Sequence, residues 1–372
     1  HDGYTSASRT ITARDGETVT ADFALAFDLL GLSEVIIVTG TVSGKSKLES
    51  AIAATTLDEG YLQKVGARNT ADAFKSIPGF YIESSGGEGN ANFVVRGLPI
   101  AGGAKFSQIQ EDGLDVTQYG DIMFGNTDIW IRLDQSVERV EGIRGGSASI
   151  TASNAPGGII NMISKTGGKP GGSIAQTVGL TFQQYRLDFD YGSPISENLR
   201  FHIGGFYRTD EGVRSPGYTA NQGGQIKGNV TRTFDDGYVR LYFKYLDDRS
   251  IAYLPIPLAR ESADSDDPEG VPGFDPNFGT MHSRDLLRLH ARTPFGDEVN
   301  ESLDVGMNPM VTAIGGEAEY DFGDGWTITE RFRRTDIDGQ FNSIFSFSGS
   351  PLPYDQFAES LGLSDYTYTY AS

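Results

Sequence analysis

No cysteine occurs in the 372 residues, which removes disulfides, thiolate metal sites and cysteine nucleophiles together. Histidine is scarce. The four present, His1, His202, His282 and His290, show no HExxH or other close metal spacing, so they fit structural or surface roles, and no metal or catalytic site is expected. No apolar run approaches the roughly 18 residues of a transmembrane helix, which excludes a helical membrane protein. A barrel stays open, because alternating strands cross a bilayer without such runs. Basic residues are outweighed, 30 Lys and Arg against 50 Asp and Glu, and a formal net charge of -20 leaves nothing to neutralise phosphates. Nucleic acid is therefore not an expected partner. No signal peptide precedes His1, so the chain reads as processed or trimmed at its start.

What is abundant is glycine (48) and aromatic residues (17 Tyr, 22 Phe), the composition of many strands with frequent turns. The most informative stretch is Ser136 to Thr166, SVERVEGIRGGSASITASNAPGGIINMISKT. Val137, Val140 and Ile143 precede Gly145 and Gly146, while Ile159, Ile160, Met162 and Ile163 follow Gly157 and Gly158. That pattern predicts buried strands joined by tight turns. Upstream, Gly40, Gly44, Lys45 and Ser46 echo a phosphate-binding loop. Thr41, Val42 and Ser43 supply one residue too few between the first glycine and the Gly-Lys pair, so the backbone cradle does not close and no nucleotide cofactor is expected.

VERVEGIRGG followed by NAPGGIINMISKTGG closely resembles the end of the plug domain in TonB-dependent outer-membrane receptors. Other landmarks fall in the family's order. A helix is predicted from about Thr70 to Ser76, capped by Asn69 or Thr70 and stopped by Pro78, and Tyr81, Ile82 and Glu83 supply the following strand. NFVVRGLP ends in Arg96-Gly97, and Asp112-Gly113 in QIQEDGLDV predicts a type I′ hairpin. Gly97, Asp112, Gly113, Glu141, Gly145, Asn154, Pro156, Gly157, Gly158 and Asn161 carry the plug signature. The resemblance implies that Arg96 and Arg144 lock plug to barrel, with Glu317, Glu319 or Glu330 as partner. EVIIVTG, comprising Glu34, Val35, Ile36, Ile37, Val38, Thr39 and Gly40, resembles the TonB box, whose extended backbone is captured as an added strand by the transducer TonB, acting with ExbB and ExbD. Residues 1–30 resemble the end of a carboxypeptidase-regulatory-like β-sandwich.

After Gly172 the chain reads as long antiparallel strands. SPISE, Asp235-Asp236-Gly237 and Gly323-Asp324-Gly325 are the tight turns, and Arg249 to about Gly306 is one long connection. Val239, Leu241, Phe243 and Tyr245 are expected to face lipid, with Arg240, Tyr242 and Lys244 facing the lumen. The acids Asp264, Asp266, Asp267 and Glu269 invite a calcium reading, but Pro268 stands where an EF-hand needs a ligand, so a solvated loop is expected.

The fold expected is mainly β, an antiparallel transmembrane barrel with an α+β plug in its lumen. The domains are 1–30 sandwich remnant, 31–47 TonB box and linker, 48–168 plug, and 169–372 the first strands and loops of an incomplete barrel. The family's barrel needs about 22 strands and this chain supplies about six to nine, so further chain, or a missing barrel half, is expected. The implied function is active nutrient import across the outer membrane of a Gram-negative bacterium, without enzymatic chemistry. The sandwich remnant and acidic loops incline the cargo towards a carbohydrate or other organic nutrient, with ferric-siderophore uptake as the alternative and a signalling or adhesion receptor as the non-transport one. Phe106, Tyr119 and Phe124 on the plug apices are candidate cargo contacts. Lipid and lipopolysaccharide, a small-molecule or oligosaccharide substrate and a surface lipoprotein complete the expected partners.

Overall fold

The structure, a computed structural model, describes residues 53–84, 87–98, 105–118, 125–145, 152–253, 269–292 and 295–344, with short stretches elsewhere that include 36–39, 45–46, 121–122 and 256–259. The predicted sandwich remnant lies almost entirely outside the described residues.

A short hairpin pairs β1 (Ile36–Ile37) with β2 (Lys45–Ser46). Next come β3 (Ala54–Asp58), α1 (Glu59–Val65), α2 (Thr70–Phe74), β4 (Phe80–Glu83), β5 (Asn92–Val95), β6 (Ser107–Glu111) and β7 (Leu114–Asp115). The short pair β8 (Asp121–Ile122) and β9 (Gly125–Asn126) leads into a 3-10 turn, Thr127–Trp130, then β10 (Val137–Arg144) and β11 (Gly158–Ser164). β3, β10, β11, β6 and β7 form one sheet in that order, with β11 parallel to β6 and the other pairs antiparallel.

The near-continuous apolar run of β11 follows from burial on both faces. Ile160 and Met162 pack with Phe74, Ile77, Phe80 and Phe93 beneath α2 and the β4–β5 pair. Ile159 turns the other way, onto Ile37, Ile143 and Ala155. Asn69 caps α2 as expected, its carbonyl accepting the Asp72 N–H at 2.8 Å. Helix α1, which the sequence reading did not anticipate, is capped by Asp58 and closes on Gly66 in the left-handed conformation. Asp112 and Gly113 have φ of 51° and 80°, the two positive values that a type I′ turn requires.

Seven of the remaining described strands build an antiparallel wall in which each strand pairs with its neighbour in the sheet order: β12 (Gly171–Val178), β13 (Gln184–Ser196), β14 (Leu199–Asp210), β15 (Asn221–Phe234), β16 (Gly237–Arg249), β21 (Met307–Gly323) and β22 (Trp326–Phe341). Between β16 and β21 the long connection carries β17 (Leu258–Ala259), β18 (Glu269–Gly270), β19 (Arg288–Arg292) and β20 (Glu298–Ser302). The expected alternation holds along β16: Val239, Leu241, Phe243 and Tyr245 are exposed, Arg240 and Tyr242 half-buried, and Lys244 buried. Asp264, Asp266 and Asp267 lie outside the described residues, among which no group suited to a metal ion occurs.

One boundary differs from expectation. β13 continues through Ser193–Ser196 of SPISE and turns at Glu197 and Asn198. Pro194 fits a strand here because β12 pairs with β13 only as far as Gly192, so the missing N–H falls where the described sheet has no partner, beside a register shift between Pro194 and Ser196. The tight turns gather at one end of the wall, and the connections between β14 and β15 and between β16 and β21 gather at the other.

Candidate functional site

Three sets of contacts line the plug from one end of the wall to the other. At the tight-turn end the segment Ile36–Thr39 is folded onto the sheet. Ile37 is fully buried, and the Val38 N–H, the Thr39 N–H and the Thr39 hydroxyl all donate to Glu141 Oε2, at 3.1, 2.9 and 2.6 Å. Arg139 Nε holds the other carboxylate oxygen at 2.9 Å. Asn161 Nδ2 donates to Thr39 Oγ1 at 2.9 Å while its Oδ1 accepts the Gly113 N–H at 3.1 Å. Asp112 accepts from the Ser164 N–H and hydroxyl, both at 2.8 Å. Glu141 and Asn161, which the sequence offered only as signature residues, thus hold this short segment, with Gly113 bonded to Asn161 behind them and Asp112 to Ser164. Hydrogen bonds to a charged group contribute about 1.5–3 kcal/mol each, so the docking is firm yet within reach of a pull. Glu34, Val35 and Gly40 lie outside the described residues.

Gly157 needs its lack of a side chain. A Cβ there would stand 2.9 Å from the Phe106 carbonyl oxygen, which accepts the Gly157 N–H at 2.9 Å. Gly145 and Gly158 flank this contact: the Gly145 N–H donates to the Gly157 carbonyl at 2.9 Å, and Gly158 pairs with Arg144. Asn154 and Gly97 take positive φ in turns, and Pro156 adjoins buried Ala155.

Midway up the wall, buried charges join plug to barrel strands. Arg132, from the plug, meets Asp248 of β16 at 2.5 Å, and both are essentially inaccessible to solvent. Asp248 also binds Arg208 of β14 through Nε and Nη2, at 2.7 and 2.8 Å, and Arg208 Nη1 reaches Glu88 on the plug at 2.7 Å. A second junction places Glu111 between Lys227 (3.1 Å) and Lys244 (2.6 Å). Burial works against its charge, but the two ammoniums and Arg333 hold Glu111 below the usual carboxylate range. Arg333 donates to the carbonyls of Glu111, Leu114 and Asp115. The Gln225 amide on Asp134 (2.7 Å) and Arg186 on the Leu133 carbonyl (2.9 Å) complete the seam.

The arginines singled out by resemblance behave differently. Arg144 donates to the carbonyls of Ala53 and Pro78, and Arg96 is exposed on a positive-φ turn beside Gly145. Among the described residues neither pairs with a carboxylate. Glu317 is engaged by Arg240, Arg331 and the Tyr238 hydroxyl, all on the wall. Sequence reasoning missed Arg132, Glu111 and Glu88; only their later partners, in polar positions of apolar strands, hinted at them.

At the long-connection end, a cavity of about 530 Å³ opens between plug residues Arg68, Asn69, Glu83, Ser84, Gly87 and Glu88 and the wall's loops. Phe106 is half-buried against the plug core, and Tyr119 and Phe124 lie outside the described residues. Below the cavity Asp128 is fully buried, accepting the Ala91 N–H at 3.0 Å. Burial raises its carboxyl to about 7, against the opposing pull of that N–H and of Arg132.

Residues 46–159 match the TonB-dependent Receptor Plug Domain family. The chain is similar to a ferric enterobactin receptor of Pseudomonas aeruginosa, 25% identical over 216 residues that make up 52% of this chain and 28% of the relative. It is also similar to the vitamin B12 transporter BtuB of Vibrio vulnificus, 23% identical over 213 residues, 55% of this chain and 34% of the relative. Among solved structures, the ferripyoverdine receptor of the outer membrane of Pseudomonas aeruginosa aligns with a TM-score of 0.58 at 16% identity, covering 86% of this chain and 39% of that one. The alcaligin outer-membrane receptor of Bordetella pertussis gives 0.52 at 16% identity, covering 81% and 42%. The chain therefore spans about a third of the length of these curated relatives. The shared fold is a plug inside strands of an outer-membrane receptor barrel.

Two outcomes follow. With no native cysteine, a spin label at Val38→Cys reports the docked segment alone; it is expected to be immobile in the parent and to become mobile in Glu141→Ala, and an unchanged spectrum would show that Glu141 does not hold the segment. Asp128 binds its proton more tightly folded than unfolded, so stability falls as pH rises from about 4 to about 7. Asp128→Asn is expected to flatten that part of the profile in thermal melts of detergent-solubilised protein, and an unaltered slope would contradict the assignment.

Proposed function

Starting from a chain that carries the plug domain of TonB-dependent outer-membrane receptors within strands of their barrel, we propose that it forms the N-terminal part of an active importer of a metal chelate. The observation that carries this reading is the docking of Ile37, Val38 and Thr39 on Glu141 and Asn161. In the proposed cycle, cargo fills the cavity at the long-connection end, which faces outward. The Ile36–Thr39 segment then releases Glu141 and Asn161, exchanges them for a strand of TonB, and transmits a pull to the plug. The Ile36–Ile37 pairing with Lys45–Ser46 and the Thr39 hook keep that backbone engaged until then. We assign 31–47 to the TonB box and linker, 48–168 to the plug and 169–372 to barrel strands and loops. The outer-membrane setting supports contact with lipid and lipopolysaccharide, and energy input from ExbB and ExbD belongs to the same reading.

For the cargo, the relatives' names favour the ferric-chelate alternative over the carbohydrate inclination of the sequence reading. That inclination rested partly on residues 1–30, which lie almost entirely outside the described residues.

The test is deletion of residues 34–40 in the full-length receptor, with cell binding and uptake of a radio-iron chelate measured side by side. Uptake is expected to fall to the level of cells lacking TonB while binding persists. Uptake that survives the deletion would sink the import reading, as would an adhesion function that proves wholly unaffected in a receptor that transports nothing.

A further inference from the structure

Three signature residues of the plug, Asp112, Gly113 and Asn161, form a relay behind the docked segment. Asp112 and Gly113 make the turn between β6 and β7, and that turn is folded over β11. The Asp112 N–H donates to the Met162 carbonyl at 2.9 Å, and the Asp112 carboxylate accepts the Ser164 N–H and hydroxyl, both at 2.8 Å. So held, the turn aims the Gly113 N–H at Asn161 Oδ1, 3.1 Å away. Asn161 is 1% exposed, and its Nδ2 donates to Thr39 Oγ1 at 2.9 Å, while the Thr39 hydroxyl gives its one hydrogen to Glu141 Oε2 at 2.6 Å. On its other side the same turn meets the wall. Arg333 of β22 donates from Nη1 to the Glu111 carbonyl at 3.2 Å, and from Nη2 to the carbonyls of Leu114, at 3.1 Å, and Asp115.

The relay runs in one direction only. A backbone N–H can only donate, so Asn161 must turn its oxygen to Gly113 and its amino group to Thr39. Thr39 must then accept, because its hydrogen is committed to Glu141. Without the Gly113 N–H, Asn161 Oδ1 becomes a buried acceptor lacking a donor, and nothing orients the amide. Reversed, the amide sets its oxygen against the Thr39 oxygen, acceptor against acceptor, and the hook opens. We infer that Asp112 and Gly113 are positioning residues for the docked segment, acting through the Asn161 amide, and that Arg333 makes the setting of that amide depend on where the plug sits against β22. The inference deepens the import reading, because it names what holds and frees the segment that TonB takes in that reading.

The experiment uses the purified full-length receptor with a spin label at Val38→Cys, without TonB or cargo, and records the melting transition of each variant alongside. Asp112→Ala is expected to lower the ratio of docked to free label about tenfold, the factor carried by one buried hydrogen bond left unmade. Arg333→Ala, acting from the wall, is expected to lower it several-fold. In an Asn161→Ala background neither substitution is expected to add to the mobile fraction. Arg240→Ala, at a residue that bonds Thr231 and Glu317 within the wall, is expected to leave the label immobile. A label that stays immobile in Asp112→Ala while the melting transition falls would overturn the inference and leave the turn a structural element only. Losses that add to that of Asn161→Ala, or a label freed equally by Arg240→Ala, would overturn it too, and an immobile label in Arg333→Ala would overturn the link to the wall. Because no transducer is present, these outcomes are separate from the import reading, which stands or falls on uptake after deletion of residues 34–40.

Discussion

The structure depends on one buried carboxylate. Asp248 accepts Arg132 from the plug and Arg208 from the wall, and Arg208 passes the connection back to the plug at Glu88. Placing these ions out of water costs several kcal/mol each, and only close pairing with further hydrogen bonds offsets it. Arg132 supplies those bonds locally, donating to the Ile129 and Ile131 carbonyls, both at 2.8 Å. A plug displaced by even one residue along the wall would leave two or more charges buried without partners. The network therefore fixes position more than it adds stability, and Glu111 between Lys227 and Lys244 repeats the device further along β16.

With the plug fixed, both of its working ends follow. At the tight-turn end the sheet offers Glu141 and Asn161 to the Ile36–Thr39 segment, and at the other the connection between β4 and β5 places Glu88 on the cavity lining. Glu88 belongs to the charge network and to the cavity lining at once. Its Oε1 holds Arg208, which in turn holds Asp248. The contact chain runs from the cavity lining to the network through buried polar groups.

Much of this was readable in the sequence where the signal is local. The period of two along β16, the Asp112-Gly113 turn and the Asn69 cap depend on neighbours in the chain, and each formed as the residues predicted. Helix α1 was invisible because it has no buried face: Tyr61 and Val65 are exposed and only Leu62 packs on the core. The charge network was invisible for a different reason. Arg132 and Asp248 are 116 residues apart, and nothing in either segment marks its partner. Resemblance pointed instead to Arg96 and Arg144, whose described contacts are with turns of the plug. Glu141 was legible as a signature residue, but its bond to Thr39 spans 102 residues and needed the folded sheet.

The claim that buried ion pairing fixes the plug in the wall is tested most directly by a double-mutant cycle on Arg132 and Asp248, using Arg132→Ala, Asp248→Ala and the pair in the full-length receptor, with denaturant midpoints as the readout. The account predicts a coupling of about 2–3 kcal/mol, with the double variant little worse than Asp248→Ala alone. Additive losses would contradict it, because they would mean that the two groups contribute independently and that the plug is held by something else.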